Sequence, residues 1–315
     1  MISVQGQKYM TDFEAKKAII DIGKRMYDRG FVAANDGNIS CKVGPNALWT
    51  TPTGVSKGFM TQDMLVKVDL SGKVLLGRTK PSSELKMHLR VYEENPDLMA
   101  VTHAHPPVAT SFAIAGISLD RPILTEAILT LGTIPIAHYA TPGTYEVPDS
   151  IAPYVNTHNG VLLANHGALS WGKDPYQAFY RLESIEYYAN IMMYTGNIIG
   201  RSNELSCGQI DELLDIRKNL GVTAGGTPPC KDCVTNMQDV VNSAAPAPAP
   251  APVPVQPAPQ AVNMPGVTSM VYPGGTPVAG CGCGSISSPA VPAADNRSKE
   301  EIIAEVVRRV TQQLK

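Results

Sequence analysis

Three histidines stand where imidazoles could reach one metal ion. His103-Ala104-His105 follows the apolar run Met99–Val101. In an extended chain alternate residues share a face, so both rings can meet the same ion. A second apolar run, Gly160–Ala164, ends in Asn165-His166-Gly167, where a glycine lets backbone approach closely. Upstream, Pro81-Ser82-Ser83-Glu84 puts a carboxylate at the start of a helix. Three imidazoles with an open fourth position form the pattern of a catalytic rather than a structural zinc site. The bland alternative is a set of surface or hydrogen-bonded core histidines.

The chain also carries the donors of an anion site. Gly37-Asn38-Ile39-Ser40 and Thr51-Pro52-Thr53-Gly54 are turn sequences rich in small residues and hydroxyls. Ser82 and Ser83 at a helix N-terminus add amide and hydroxyl donors suited to phosphate. Each turn taken singly is also ordinary turn chemistry.

Positioning such groups takes regular elements, and the pattern supplies them. Asp12–Arg29 has apolar residues at helical spacing (Ala15, Ile19, Ile22, Met26) and stops at Gly30. Strands are expected at Asn38–Lys42 and Ala47–Thr51, a short helix at Thr61–Lys67 and a strand at Val68–Leu76. A helix over Ser83–Asn95 would be capped by Ser82 or Ser83 and closed by Pro96. Met99–Thr102 and Gly160–Ala164 read as short strands. Asp174–Tyr194 reads as a long helix with an Asp cap and a proline at its first position. Such a mixture predicts an α/β fold, a sheet with helices on its faces.

Composition sets the limits of that fold. The 315 residues carry 26 Lys and Arg against 28 Asp and Glu, a net charge of −2 that argues against a nucleic-acid binder. No apolar run approaches the ~20 residues needed to span a bilayer. The N-terminus has no apolar signal region, so a cytoplasmic protein is expected. The averages hide a split. Fourteen of the 26 prolines lie between Pro228 and Pro292, and Asp239 is the one charged residue between Val234 and Ala294. The expected organisation is therefore a catalytic domain over 1–220, a flexible Cys- and Pro/Ala-rich linker over 221–295 and an amphipathic helix over 296–315. Ala244–Pro259 cannot offset its ordering entropy by burial and reads as an extended spacer. Beyond it, Ser298-Lys-Glu-Glu301 forms a capping box ahead of an apolar stripe from Ile302 to Leu314. Cys230, Cys233, Cys281 and Cys283 are paired thiols that could form a second metal site or remain free and redox-labile. In a cytosol no structural disulfide is expected, and Cys41 and Cys207 read as inert.

In order along residues 10–215, Gly37-Asn38, Thr51-Pro-Thr-Gly54, Pro81-Ser-Ser-Glu84, His103-x-His105, Tyr139-Ala-Thr-Pro-Gly-Thr144 and Asn165-His166-Gly167 resemble the class II aldolase/adducin-head family. The resemblance implies a three-layer αβα sandwich around a mainly antiparallel sheet, assembled as a homotetramer with interfacial active sites. It implies Zn2+ on His103, His105 and His166, with Glu84 as acid/base and fourth ligand of the empty metal. By the same resemblance Asn38, Thr53, Gly54, Ser82 and Ser83 hold a sugar phosphate. The implied reaction cleaves L-fuculose or L-rhamnulose 1-phosphate to dihydroxyacetone phosphate and L-lactaldehyde. Glu84 favours this over the related ribulose-phosphate 4-epimerases, which carry Asp there. A thio-sugar phosphate dehydratase on the same zinc site is the sister alternative, and a catalytically idle scaffold is a further one, against which the retained Glu84 and three histidines argue. One departure stands out: where the fuculose-cleaving members place a tyrosine, Ile123–Ala127 holds Thr125 and Glu126.

The terminal helix over 296–315 resembles encapsulation peptides, which send enzymes into bacterial microcompartments. Shell or cargo proteins are then the expected partners, and a microcompartment the expected location.

Overall fold

The structure is a computed structural model that describes residues 9–230. The linker from 231, the terminal helix, and Cys233, Cys281 and Cys283 lie outside the described residues.

Eight strands form one sheet in the order β4-β3-β2-β1-β5-β8-β7-β6. They are β1 (Asn38–Gly44), β2 (Ala47–Thr50), β3 (Val66–Val68), β4 (Val74–Leu76), β5 (Ala100–Ala104), β6 (Ile136–Ala137), β7 (Gly160–Leu163) and β8 (Gly167–Gly172). Every neighbouring pair is antiparallel except β6 with β7. The expected mainly antiparallel sheet is therefore present.

Side-chain alternation divides the core into two layers. Ile39, Cys41, Ala104, Leu162 and Ala168 face α1 (Asp12–Asp28), α3 (Pro107–Ala115) and α5 (Pro175–Met193). Val101, Val161, Leu163, Leu169 and Trp171 face α2 (Leu85–Glu94) and α4 (Glu146–Ile151). That parity matters for the site. His103 and His105 share the face of Val101, so they look towards the start of α2.

Caps fix the helix starts. Thr11 and Glu14 form a capping box on α1, and the Asp174 carboxylate accepts from the Gln177 amide at 2.9 Å to open α5. Two local expectations fail. Thr61–Lys67 is not a helix; its end already belongs to β3. Val68–Leu76 is not one strand but the β3–β4 hairpin. The Asp69 carboxylate accepts from the Ser71 and Lys73 amides at 2.9 Å each, turning the chain at Ser71-Gly72.

The body also continues past the expected boundary at 220. Helix α6 (Cys207–Asn219) leads into residues 221–230, which pack on it. The buried Arg217 guanidinium donates to Gly226 O at 2.9 Å and Gly225 O at 3.4 Å, and Thr133 N donates to Gly225 O at 2.8 Å. This clamp brings Cys207 and Cys230 to a Cα–Cα distance of 5.4 Å, joined as a disulfide. Two expectations are corrected here: Cys207 is not an inert thiol, and Cys230 is not a free thiolate for a metal. The buried cysteine Cys41 remains a thiol.

Replacing Asp174 by Ala leaves the Gln177 amide uncapped. Urea denaturation should show a loss of about 1 kcal/mol.

Candidate active site

Strand β5 carries His103, His105 lies just past its end, and the β7–β8 turn carries the third imidazole. His103 pairs with Leu169 across the β5–β8 ladder, and its Nδ1 lies 2.9 Å from Ala168 O. A carbonyl can only accept, so Nδ1 holds the proton and Nε2 presents a lone pair. His105 Nδ1 lies 3.3 Å from the Asp36 carboxylate, which fixes the same tautomer. His166 sits in the tight turn Asn165-His166-Gly167, with Asn165 at φ +58°. Gly167 is required: a Cβ there would lie 2.5 Å from Ala104 O and 2.7 Å from His105 Cδ2.

The three rings converge, their ligating nitrogens all within 4.8 Å of one another. His103 Nε2 and His105 Nε2 are 3.2 Å apart. A metal ion between them would take both lone pairs. This donor set fits a divalent ion, and an open position beside it fits a catalytic one.

Glu84 completes the cluster. Its Oε1 is 3.1 Å from His166 Nε2 and its Oε2 is 3.5 Å from His103 Nε2. Burial works against the carboxylate's charge, but His103, the His166 hydrogen bond and the Asn38 amide outweigh it and hold the group below the usual range. Glu84 is therefore ionised. It is also the residue just before α2, whereas the expected helix began at Ser83. Ser82 does not cap that helix; its Oγ accepts from the Glu84 amide at 3.3 Å and orients the carboxylate's own backbone.

Behind Glu84 runs a buried polar chain. Asn38 Nδ2 donates to Glu84 Oε2 at 2.7 Å, and Asn38 Oδ1 lies 2.5 Å from His88 Nε2. His88 Nδ1 in turn lies 2.7 Å from Ser40 Oγ, which lies 2.7 Å from Tyr92 OH. One N–H of the Asn38 amide is thus given to Glu84, and the residue, expected among the phosphate donors, also lines the cavity beside it. Motifs do not single out His88, because its sequence context is only a helix interior. The signal that could have found it is spacing: His88 falls one helical turn after Glu84, with Tyr92 one turn later.

The cluster opens into a cavity of about 320 Å³. Thr53, Gly54, Ser82 and Ser83 line it, together with Pro142 and Gly143. Two loops make this wall: Thr53 N donates to Lys80 O at 3.0 Å and Ser82 N donates to Thr51 O at 3.1 Å. The residues expected to hold a phosphate, Asn38 included, thus line one cavity. Thr125 and Glu126 do not line the cavity.

The model of the Class II Aldolase and Adducin N-terminal domain matches residues 17–193, more than half of the chain. The chain belongs to this family. Among the relatives of this class II aldolase is an L-fuculose phosphate aldolase of Methanococcus maripaludis. It is 32% identical over 179 residues, covering 57% of this chain and 96% of the relative. A 3-oxo-tetronate 4-phosphate decarboxylase of Haemophilus influenzae is 30% identical over 187 residues, covering 58% and 88%. The solved structure of an L-fuculose 1-phosphate aldolase superposes with a TM-score of 0.61 at 29% identity, covering 68% of this chain and all of that one.

Burial holds His88 at a pKa of about 4 and His103 at about 3, below the ordinary 6.5. The unfolded chain takes up these protons below pH 6.5 while the fold refuses them. Stability of the metal-free class II aldolase should therefore fall from pH 6.5 towards pH 4, by up to about 1.4 kcal/mol per pH unit for each histidine. Urea midpoints across that range check this; a flat profile would contradict the assignment of both rings as buried and neutral.

Proposed function

We propose that this class II aldolase cleaves a ketose 1-phosphate, L-fuculose or L-rhamnulose 1-phosphate, to dihydroxyacetone phosphate and L-lactaldehyde. The observation that carries the reading is an ionised Glu84 set against three converging imidazoles at one end of a hydroxyl-lined cavity.

His103, His105 and His166 would hold the ion, Zn2+ or another divalent metal, with Glu84 as ligand of the unliganded centre. When bound, the ion supplies Lewis-acid polarisation of the substrate carbonyl. The chain's own groups do the rest. Thr53, Gly54, Ser82 and Ser83 fix the phosphate and hence the register of the carbon chain. Cleavage breaks the C3–C4 bond, and its electron pair moves into the C2 carbonyl as an enediolate. The C4 hydroxyl loses its proton and becomes the aldehyde. Glu84, ionised at rest, accepts that proton and returns it to C3, and in the synthetic direction the two transfers run in reverse.

A second reading has its own support. Decarboxylation of 3-oxo-tetronate 4-phosphate breaks the C1–C2 bond, releases CO2 and leaves the same dihydroxyacetone phosphate enediolate. That route needs no base for a hydroxyl proton. The segment from Ile123 to Ala127 has no tyrosine, which suits it. An interfacial tetramer and a docking role for residues 296–315 remain part of the proposal.

Purified enzyme should release triose phosphate from one of these three substrates and stop when the metal is chelated. Glu84→Gln should keep the metal and lose roughly a hundredfold to ten-thousandfold in rate. Release that survives chelation, or none from any of the three, refutes the reading. For the tail, a fluorescent protein fused to residues 296–315 should co-localise with shell proteins, and a diffuse signal counts against docking.

A further inference from the structure

The cavity holds a charge that the reaction above leaves unused. Lys57 lines it, is 2% exposed, and is the one Lys or Arg among its lining residues. Its Nζ donates to Asn35 O and to Val55 O, each at 2.7 Å. An ammonium has three donors, so one N–H remains, and no carboxylate among the described residues pairs with it directly. The two carbonyls belong to the loops that flank the anion wall: Val55 follows Gly54, and Asn35 precedes Asp36 and Gly37.

A phosphate entering this cavity meets two carboxylates already there, Asp36 and Glu84. Hydroxyl and amide donors alone would leave its second charge uncompensated in a partly desolvated space. We propose that Lys57 is the charged phosphate-binding residue of this enzyme, giving its third N–H to a phosphate oxygen beside the Thr53–Gly54 turn. The inference rests on the sugar-phosphate reading of the cavity and names the group that would select a dianionic monoester over a neutral sugar. Burial lowers the Lys57 pKa to about 8 against the opposing pull of Asp36 and Glu84, so the ammonium is charged at neutral pH. An arriving dianion strengthens that state. Holding Nζ on two carbonyls also removes the entropy cost that a free surface lysine would meet on binding.

A structural strut would need only the donors, whereas a phosphate partner needs the charge. Lys57→Gln keeps an N–H donor group and loses the charge; Lys57→Met loses both. The probe is methyl phosphate, titrated into metal-loaded protein by calorimetry, with metal content and melting temperature recorded for each variant. Both variants should bind it at least about tenfold more weakly than the wild type. A Lys57→Gln protein that binds like wild type while Lys57→Met fails would make Lys57 a strut and overturn the proposal. Should neither variant fold, wild-type protein labelled with 15N at lysine Nζ decides. The protected ammonium resonance must shift on adding methyl phosphate, and an unmoved resonance overturns the assignment. Binding of methyl phosphate does not depend on turnover. Lost affinity without cleavage of any sugar phosphate would sink the proposed reaction and leave the role of Lys57 standing.

Discussion

The hydrogen bond between His103 Nδ1 and the Ala168 carbonyl is the constraint on which the site depends. It exists because β5 and β8 are neighbours in the sheet, and it decides which nitrogen of His103 is free. With that tautomer set, His103 Nε2 faces His105 Nε2 at 3.2 Å as a free lone pair, suited to a metal ion. Gly167 has to be glycine because the same strand pairing brings Ala104 O within 2.5 Å of where a Cβ would stand. Geometry, tautomer and residue identity thus follow from one ladder.

The carboxylate side is built differently. Glu84 stands at the mouth of α2, and its ionised state is secured from behind by Asn38, itself orientated by His88. A buried polar chain of this kind is useful only when every member is satisfied. Ser40 and Tyr92 close it on the far side, so the line from Tyr92 to Glu84 has a partner at each step. The cost is a fold that carries neutral buried histidines and so is exposed to acid.

Much of this is legible in the sequence. The six short motifs, their order and the alternation within Met99–His105 point to the metal side chains, because strand periodicity survives in any context. The helices that open at Asp12 and Asp174 are readable from their caps. The β3–β4 hairpin is not read from its short apolar ends, because its turn is made by Asp69 accepting from its own neighbours' amides. The extension of the body to Cys230 is hidden for another reason. Arg217 satisfies its guanidinium on backbone carbonyls of Gly225 and Gly226, a contact with no residue-type signature.

By itself the sequence determined the candidate histidine cluster, the carboxylate beside it, the hydroxyl-rich turns and the α/β class, all of which depend on local spacing. The tertiary structure decided what each polar group is spent on. One N–H of the Asn38 amide serves Glu84, and Lys57, which no motif singles out, lies buried in the cavity wall. The physical reason is that spacing along a chain sets which face a side chain leaves from. Its partner is set by distant backbone, here loops brought side by side by Thr53 on Lys80 and Ser82 on Thr51.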